Sequence, residues 1–530
     1  MEHLDTKRKI AIMLSVMSVM LFAALNMTIV GTSLPKIIAD IGGMEYFNWV
    51  FMIYMLTSSI TAILVGKLSD IYGRKVFILI GIWVFIVGQL LCGFSTSIFQ
   101  LILFRGLAGF GGGMIMSTSF ATVGDLFSAR ERGRWQGFMG SVFGLSSLFG
   151  PTLGGYIVDN MDWSWVFWIF LPVGLIAFIL IFKLYPKADK KAKEKIDYFG
   201  SILLSILILS LLLGFSWAGT VYAWTSWPII GLFSLTLICL GGFIYVQNKV
   251  ESPVVPLHLF KNSVVSVSNV VLFLSGMGMF GLIMFVPFYV QGVLGKSATT
   301  SGLVEMVMTL SMVTVSAASG QWITKTGKYK NLALIGFVIM ATGIFLNARL
   351  TPQADLIEII INLVISGIGL GMTMPIFTLT VQNAVEHKYL GVVTATGQLF
   401  RQIGGTVGVA IMGFIMSSKM AERLQGSSLP LLPEQHALGG EELLNPQLLM
   451  STEALQGIHA GLPADAQPHF EQFIVVLREA LNHSLTQVFL FTGVIVMLSF
   501  VATLLLKEIP LRTSNEMKPA LDPNQEEVSS

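Results

Sequence analysis

GKLSDIYGRK, residues 66–75, links two long apolar runs, and the rest of the chain is read outward from it. Gly66 and Gly73 permit close backbone approach and a turn where a side chain would collide. Between them Asp70 sets one carboxylate among Lys67, Arg74 and Lys75, an arrangement suited to charge-assisted hydrogen bonds. The stretch reads as a packed, charged hinge between two membrane helices.

The composition agrees. In 530 residues, 54% are hydrophobic and 12% charged, and the mean hydropathy is +0.76, which excludes an ordinary soluble protein of this size. Lys7, Arg8 and Lys9 precede an apolar run too long for a signal peptide and without a small-x-small cleavage site, so an uncleaved first span is expected. Cys92 and Cys239 both fall inside apolar runs, where they read as small core residues rather than a disulfide or thiolate metal site. A net charge of +2 gives no reason to expect a nucleic-acid partner.

Apolar runs of about 20 residues cross the hydrocarbon as helices, because every backbone polar group must be bonded internally there. Fourteen are expected, near 10–33, 46–66, 76–95, 100–124, 135–158, 165–184, 199–217, 228–247, 264–292, 299–322, 332–350, 356–381, 392–417 and 485–506. Most of the 32 Lys and Arg then lie on the side of the N-terminus. The exceptions are Lys36, Lys296, Arg349, Lys419, Arg423 and Arg478 on the other side, with Arg105 and Arg401 inside spans. This asymmetry puts both termini in the cytoplasm of a multi-pass plasma-membrane protein. The basic stretch KADKKAKEK (187–195) reads as a topology determinant and linker, able also to sit at an anionic leaflet.

The chain repeats itself. A shift of 254 lays Gly66, Asp70, Gly73 and Arg74 on Gly320, Thr324, Gly327 and Lys328. A shift of 258 lays Gly109, Gly111, Gly113 and Met114 on Gly367, Gly369, Gly371 and Met372, then Gly133 on Gly391 and Gly150 on Gly408. The expected organisation is all-α: a six-helix half (1–184), a linker with two extra spans (185–263), a second six-helix half (264–506) and a polar, disordered tail (507–530). Duplicated halves of this kind build a midplane site that opens alternately to each side. Within the second half lies a long outer segment, 418–484, whose Phe470, Phe473, Ile474, Leu477 and Leu481 share one helical face, expected on the outer surface or at the membrane interface. His436, His459, His469 and His483 in that segment match no metal-ligand spacing.

With this span count, GKLSDIYGRK resembles the signature loop of the major facilitator superfamily. FRGLAGFGGG (104–113) resembles that family's fourth-span motif with its membrane-embedded arginine, here Arg105, with Ala108 where glutamine is common. GSVFGLSSLFGPTLGG (140–155), with Gly150, Pro151, Gly154 and Gly155, resembles the fifth-span motif of exporters that exchange cargo for protons. LNMTIVGTSLP (25–35) resembles the first-span motif of multidrug antiporters, with Asn26 where an aspartate is usual. Together these point to the fourteen-span drug:proton antiporter group of EmrB/QacA type. The resemblance implies alternating access, protons as coupling ion, no other cofactor, and a monomer in the bilayer. An amide at Asn26 can bind substrate but cannot cycle a proton near neutral pH.

Coupling therefore turns to other groups. A carboxylate inside a span is costly, and Glu305 lies about six residues into span 10, roughly 9 Å deep at 1.5 Å per residue. Ser301, Glu305, Thr309, Met312, Ser316 and Gly320 form one helical stripe facing a cavity or a neighbouring helix. Its repeat counterpart is Phe51, and that of Arg105 is Leu363, so neither charge is demanded by the fold. Arg105 is expected at a similar depth and is paired with Glu305 as the coupling set. Asp70, with Arg74, Gly66 and Gly73, is assigned to gating, as is Asp125 near Arg130, Arg132 and Arg134. Glycines 140, 144, 150, 154 and 155 with Pro151 are expected to pack span 5 closely and let it bend. Asn26, Trp49, Tyr54, Phe138, Met277, Phe280, Phe285, Tyr289 and Phe377 are the candidate substrate contacts, since aromatic and Met surfaces accommodate varied lipophiles.

The reading that results is a proton-coupled exporter of lipophilic, often cationic, compounds. The alternatives are a transporter of one metabolite such as an amino acid, peptide or siderophore, and a non-transporting sensor with the same fold. No Ser/His/Asp set, metal cluster or phosphate loop points to an enzyme.

Overall fold

A computed structural model describes residues 5–42, 46–186, 197–219, 222–251, 253–296, 298–425, 449, 459 and 467–511. The basic stretch 187–195, most of 426–466 and the tail from 512 lie outside the described residues. Fourteen helices long and apolar enough to cross a membrane follow one another. They are α1 (Thr6–Ile41), α2 (Phe47–Tyr72), α3 (Arg74–Gly93), α4 (Ile98–Leu126), α5 (Ala129–Asn160), α6 (Leu171–Leu184), α7 (Tyr198–Trp217), α8 (Trp227–Gln247), α9 (Ser263–Pro287), α10 (Ala298–Thr326), α11 (Lys330–Asn347), α12 (Leu356–Asn383), α13 (Leu390–Gln425) and α14 (Gln467–Leu504). Two prolines shape the ends. Pro172 stands in the first turn of α6, which is entered through the short helix Trp165–Trp168. Pro287, which lacks an N–H, hands α9 over to a wide π-helical turn, Phe288–Val293. We call the end carrying Thr6 and Leu504 basal, and the other distal.

The repeat is visible in contacts. Gly73 and Gly327 share the left-handed backbone, with φ of 94° and 70°, which permits the one-residue turn into α3 and the short loop before α11. A Cβ on Gly113 would strike the Ser58 carbonyl oxygen, and one on Gly371 the Met312 carbonyl oxygen. Both the glycines and the carbonyls they approach are related by the shifts found in the sequence. Three apolar cores follow the chain order: two within α1–α6, and a larger one built from α9–α14. A fourth is shared by Leu56 and Ile63 of α2, Leu204, Leu207 and Ile208 of α7, Cys239 and Phe243 of α8, and Ala395 of α13. The added helix α7 thus lies against the line where α2 meets α13, and α8 packs on it. Cys92 and Cys239 are both free and buried.

Two segments depart from expectation. Residues 470–481 do not lie on a membrane surface: they are the distal part of the 38-residue α14, continuous with its last span. Their apolar face, Phe470, Phe473, Leu477 and Leu481, is buried with Tyr289, Val290, Met420 and Leu424 in the large core. The first residues of the tail are also docked. Glu508 accepts from the amides of Tyr329 and Lys330 at 2.9 and 3.2 Å, at the N-terminus of α11, and Asn383 donates to the Pro510 carbonyl at 3.2 Å. An acidic side chain at a helix N-terminus is electrostatically favoured.

Candidate functional site

The basal hinge is one buried network. Arg74, at the start of α3, donates through Nη2 to Asp70 at 2.5 Å, through Nη1 to Ser69 Oγ at 3.0 Å and through Nε to Asp125 at 2.7 Å. Asp70 reaches across to the other half, where its two oxygens accept from the amides of Gly391 and Val392 at 3.1 and 3.2 Å. Those are first-turn amides of α13, which lack partners within the helix and carry its positive dipole end. Close approach is possible because Gly66 faces Gly391: a Cβ on Gly66 would sit 2.9 Å from the Gly391 carbonyl oxygen. Asp70, Arg74 and Asp125 are thus brought together on one guanidinium. Asp125 takes Arg74, whereas Arg132 donates to the carbonyls of Phe127 and Gly124 at 3.0 and 2.8 Å.

The repeat-related contact lies between α5 and α10. Thr324, counterpart of Asp70, accepts from the Arg134 amide at 3.1 Å. The two helices run antiparallel in one register: a Cβ on Gly133 would be 3.1 Å from the Gly320 carbonyl, one on Gly137 2.6 Å from that of Ser316, and one on Gly144 would strike Val313 and approach Thr309. Further in, a polar plug joins four helices. Gln136 of α5 donates to Gln382 of α12 at 3.4 Å, and Gln382 donates to the Phe120 carbonyl of α4 at 3.3 Å and to Thr394 of α13 at 2.9 Å. The base of the bundle is closed.

Further out, the glycines of span 5 change partners. Gly150 packs on Thr28 of α1 instead of α10, and a Cβ on Gly155 or on Gly302 would meet nothing within 4 Å. The glycines of span 5 therefore divide: 140 and 144 serve α10, 150 serves α1, and 155 faces open space, while the Pro151 side chain lies outside the described residues. The same register sets Glu305 of α10 opposite Leu148 of α5, one turn beyond the approach of Gly144 to Thr309. Its stripe neighbours Ser301, Thr309, Met312 and Ser316 are buried. One carboxylate oxygen, Oε1, is buried with no hydrogen-bond partner. Arg105 is not paired with it. The guanidinium, fully buried, donates to Asn26 Oδ1 at 2.5 Å and to the Val50 carbonyl at 3.4 Å, and lies 4.4 Å over the Tyr54 ring. Asn26 passes the chain on to Gln89 at 2.7 Å. Among the described residues no ion pair joins Arg105 to Glu305: the guanidinium is held by Asn26, Val50 and Tyr54 of its own half, and its Nη2 is buried without a hydrogen-bond partner.

The profile of the Major Facilitator Superfamily matches residues 16–409. The chain belongs to that superfamily. This major facilitator is 38% identical over 520 residues to the multidrug transporter protein MdtP of Bacillus subtilis, covering 96% of this chain and 94% of the relative. It is 32% identical over 497 residues to multidrug resistance protein 3 of the same organism, covering 94% and 95%. The crystal structure of the human organic anion transporter MFSD10 is similar in fold, with a TM-score of 0.59 at 15% identity over 92% of this chain and 99% of that one. The protein is a polytopic membrane transporter, not an enzyme.

In this major facilitator most of the proposed substrate contacts are occupied by helix packing. Trp49 stacks edge-on against Trp217 of α7 at 5.7 Å, Phe377 packs on Phe337 at 5.8 Å, and Phe138 lies near the base beside Trp135 and Arg134. Met277 and Phe280 fill the space left by Gly408 and Gly405. Phe285 is buried, and Tyr289 donates to the Thr351 carbonyl at 2.6 Å in the distal core. Tyr54 is held under Arg105. Sequence reasoning passed over Gln89, Gln136 and Gln382, and gave no role to Arg401, the second intramembrane arginine. An arginine at the centre of a membrane helix costs about 3 kcal/mol on insertion scales. Its position on α13 therefore calls for a reason.

Proposed function

We propose that this transporter exports lipophilic, often cationic, compounds in exchange for protons, with its basal end in the cytoplasm of a plasma membrane. On this reading the closed Asp70 latch and glutamine plug belong to the outward-facing state. The observation that carries the reading is Glu305, an intramembrane carboxylate with a buried, unpartnered oxygen on the α10 stripe that faces α5. Closing the distal ends over an ionised, unpaired carboxylate is unfavourable, and closing them over a neutral one is much less so. A proton taken from outside thus permits distal closure and basal opening. Cargo entering from the cytoplasm then displaces the proton, and the restored charge favours return to the outward state. The names of the two Bacillus relatives support the drug cargo.

The test is substrate-driven proton movement in proteoliposomes across a panel of lipophilic cations, comparing the parent with Glu305→Gln. The parent should exchange protons, and the variant should bind cargo yet move no protons. Equal proton exchange by both would assign coupling elsewhere, and none by either would remove the antiport reading.

A further inference from the structure

Arg401 lies eleven residues along α13 from its basal start at Leu390, or about 16 Å at 1.5 Å per residue, near the middle of a ~30 Å hydrocarbon core. It is seven residues beyond Thr394, which returns a side chain to within about 20° of the same direction at 3.6 residues per turn. Thr394 faces the plug between the halves, bonded to Gln382. The α12–α13 ladder confirms the direction: Gln382 meets Thr394, and two turns further in Met374 Sδ meets Arg401 Nη1 at 3.2 Å. Arg401 therefore lies above the plug on the side of α13 that faces α12, and is partly exposed.

Its surroundings hold no counter-charge. Among the described residues no carboxylate forms an ion pair with it, and its one hydrogen-bond acceptor is a thioether, a weak one. Gln398, one turn before it and on the same side of α13, leaves its amide nitrogen Nε2 buried without a partner. Two unsatisfied donors, one cationic, thus converge on a single face at mid-membrane. A planar guanidinium with free N–H groups matches a carboxylate in bidentate geometry. A cationic group gains nothing there.

We propose that Arg401, assisted by Gln398, is the docking point for a carboxylate, so that the cargo of this transporter includes lipophilic compounds bearing an acidic group. The inference rests on the export reading for its mechanism but not on Glu305 as the coupling acid.

The experiment uses matched pairs, an aryl-alkyl carboxylic acid and its primary amide, with binding to the purified full-length protein and counterflow in proteoliposomes both measured. The parent should bind the acid at least tenfold more tightly than the amide at neutral pH. Arg401→Gln should erase that preference while leaving amide binding within about twofold, and Arg401→Lys should keep part of it, since a lysine supplies charge without the fork. Equal affinity for acid and amide in the parent, or an undiminished preference in Arg401→Gln, would overturn the assignment. Should Arg401→Gln fail to fold, Gln398→Leu is the second variant, expected to weaken acid binding selectively, and an unchanged preference there counts against the proposal. Selective acid binding without counterflow of either compound would retain the site and remove the transport reading, so the two failures are separable.

Discussion

At the scale of single residues, the basal network makes a sharp demand on Arg74. Three of its nitrogens engage three different groups, Asp70, Ser69 and Asp125. A lysine carries one ammonium and cannot reproduce that fork. Arg74→Lys should therefore lower transport at least tenfold in vesicle assays while ligand binding changes less than about threefold, an effect of roughly 1.4 kcal/mol or more on the transport step. Asp70→Asn should behave alike, since an amide has one acceptor oxygen for the two α13 amides and no charge for their dipole. Wild-type turnover in either variant would remove the latch from the mechanism. This cluster was legible in the sequence because Asp70 and Arg74 are neighbours on one turn and glycines flank them. Arg401 was visible as a charge inside a span, but its importance was not. Which way it points depends on how α12 lies against α13, and nothing in the local pattern of residues states that. Gln136 and Gln382 are harder still, being neutral amides at ordinary helical spacing whose partners lie in distant segments.

At the scale of helices, small residues decide which contacts are possible. A methyl group on Gly113 would meet the backbone of α2 at Ser58, which cannot swing aside as a side chain can. Gly113→Ala should destabilise the protein by about 1–3 kcal/mol, as overpacking usually does. Gly241 on α8 has open space, and there an alanine should be neutral or raise stability by up to about 1 kcal/mol through helix propensity. Apparent melting midpoints in detergent would show a drop for the first and none for the second. The span count was legible because hydropathy and length suffice for it. The distal extension of α14 was misread for a physical reason: one apolar face suits a helix lying on a membrane equally well as one standing against α9 and α13. Only the core holding Phe470 and Phe473 distinguishes them.

At the scale of the molecule, the duplicated halves close at the base through two related seams, α2 with α13 and α5 with α10. A disulfide between Arg134→Cys and Thr324→Cys, positions joined by a 3.1 Å hydrogen bond, should form on mild oxidation and hold the base shut. Transport should stop and return on reduction, while binding of a ligand from the distal side persists. Uninterrupted transport by the fully cross-linked protein would mean that the base need not open. The glycine shifts announced this symmetry before any coordinates, since only a repeated backbone approach requires the same bare Cα atoms twice.

Yet the lipid around the molecule does not see that symmetry. Where α2 meets α13, the added pair α7 and α8 is pressed along the join, with Trp49 against Trp217 and Trp224 against Phe414. Among the described residues nothing equivalent lies along α5 and α10. The α2–α13 seam is covered by the added pair, and the α5–α10 seam has no such cover among the described residues. Under the proposed export reading, cargo dissolved in the bilayer would approach along the uncovered seam, that of α5 and α10.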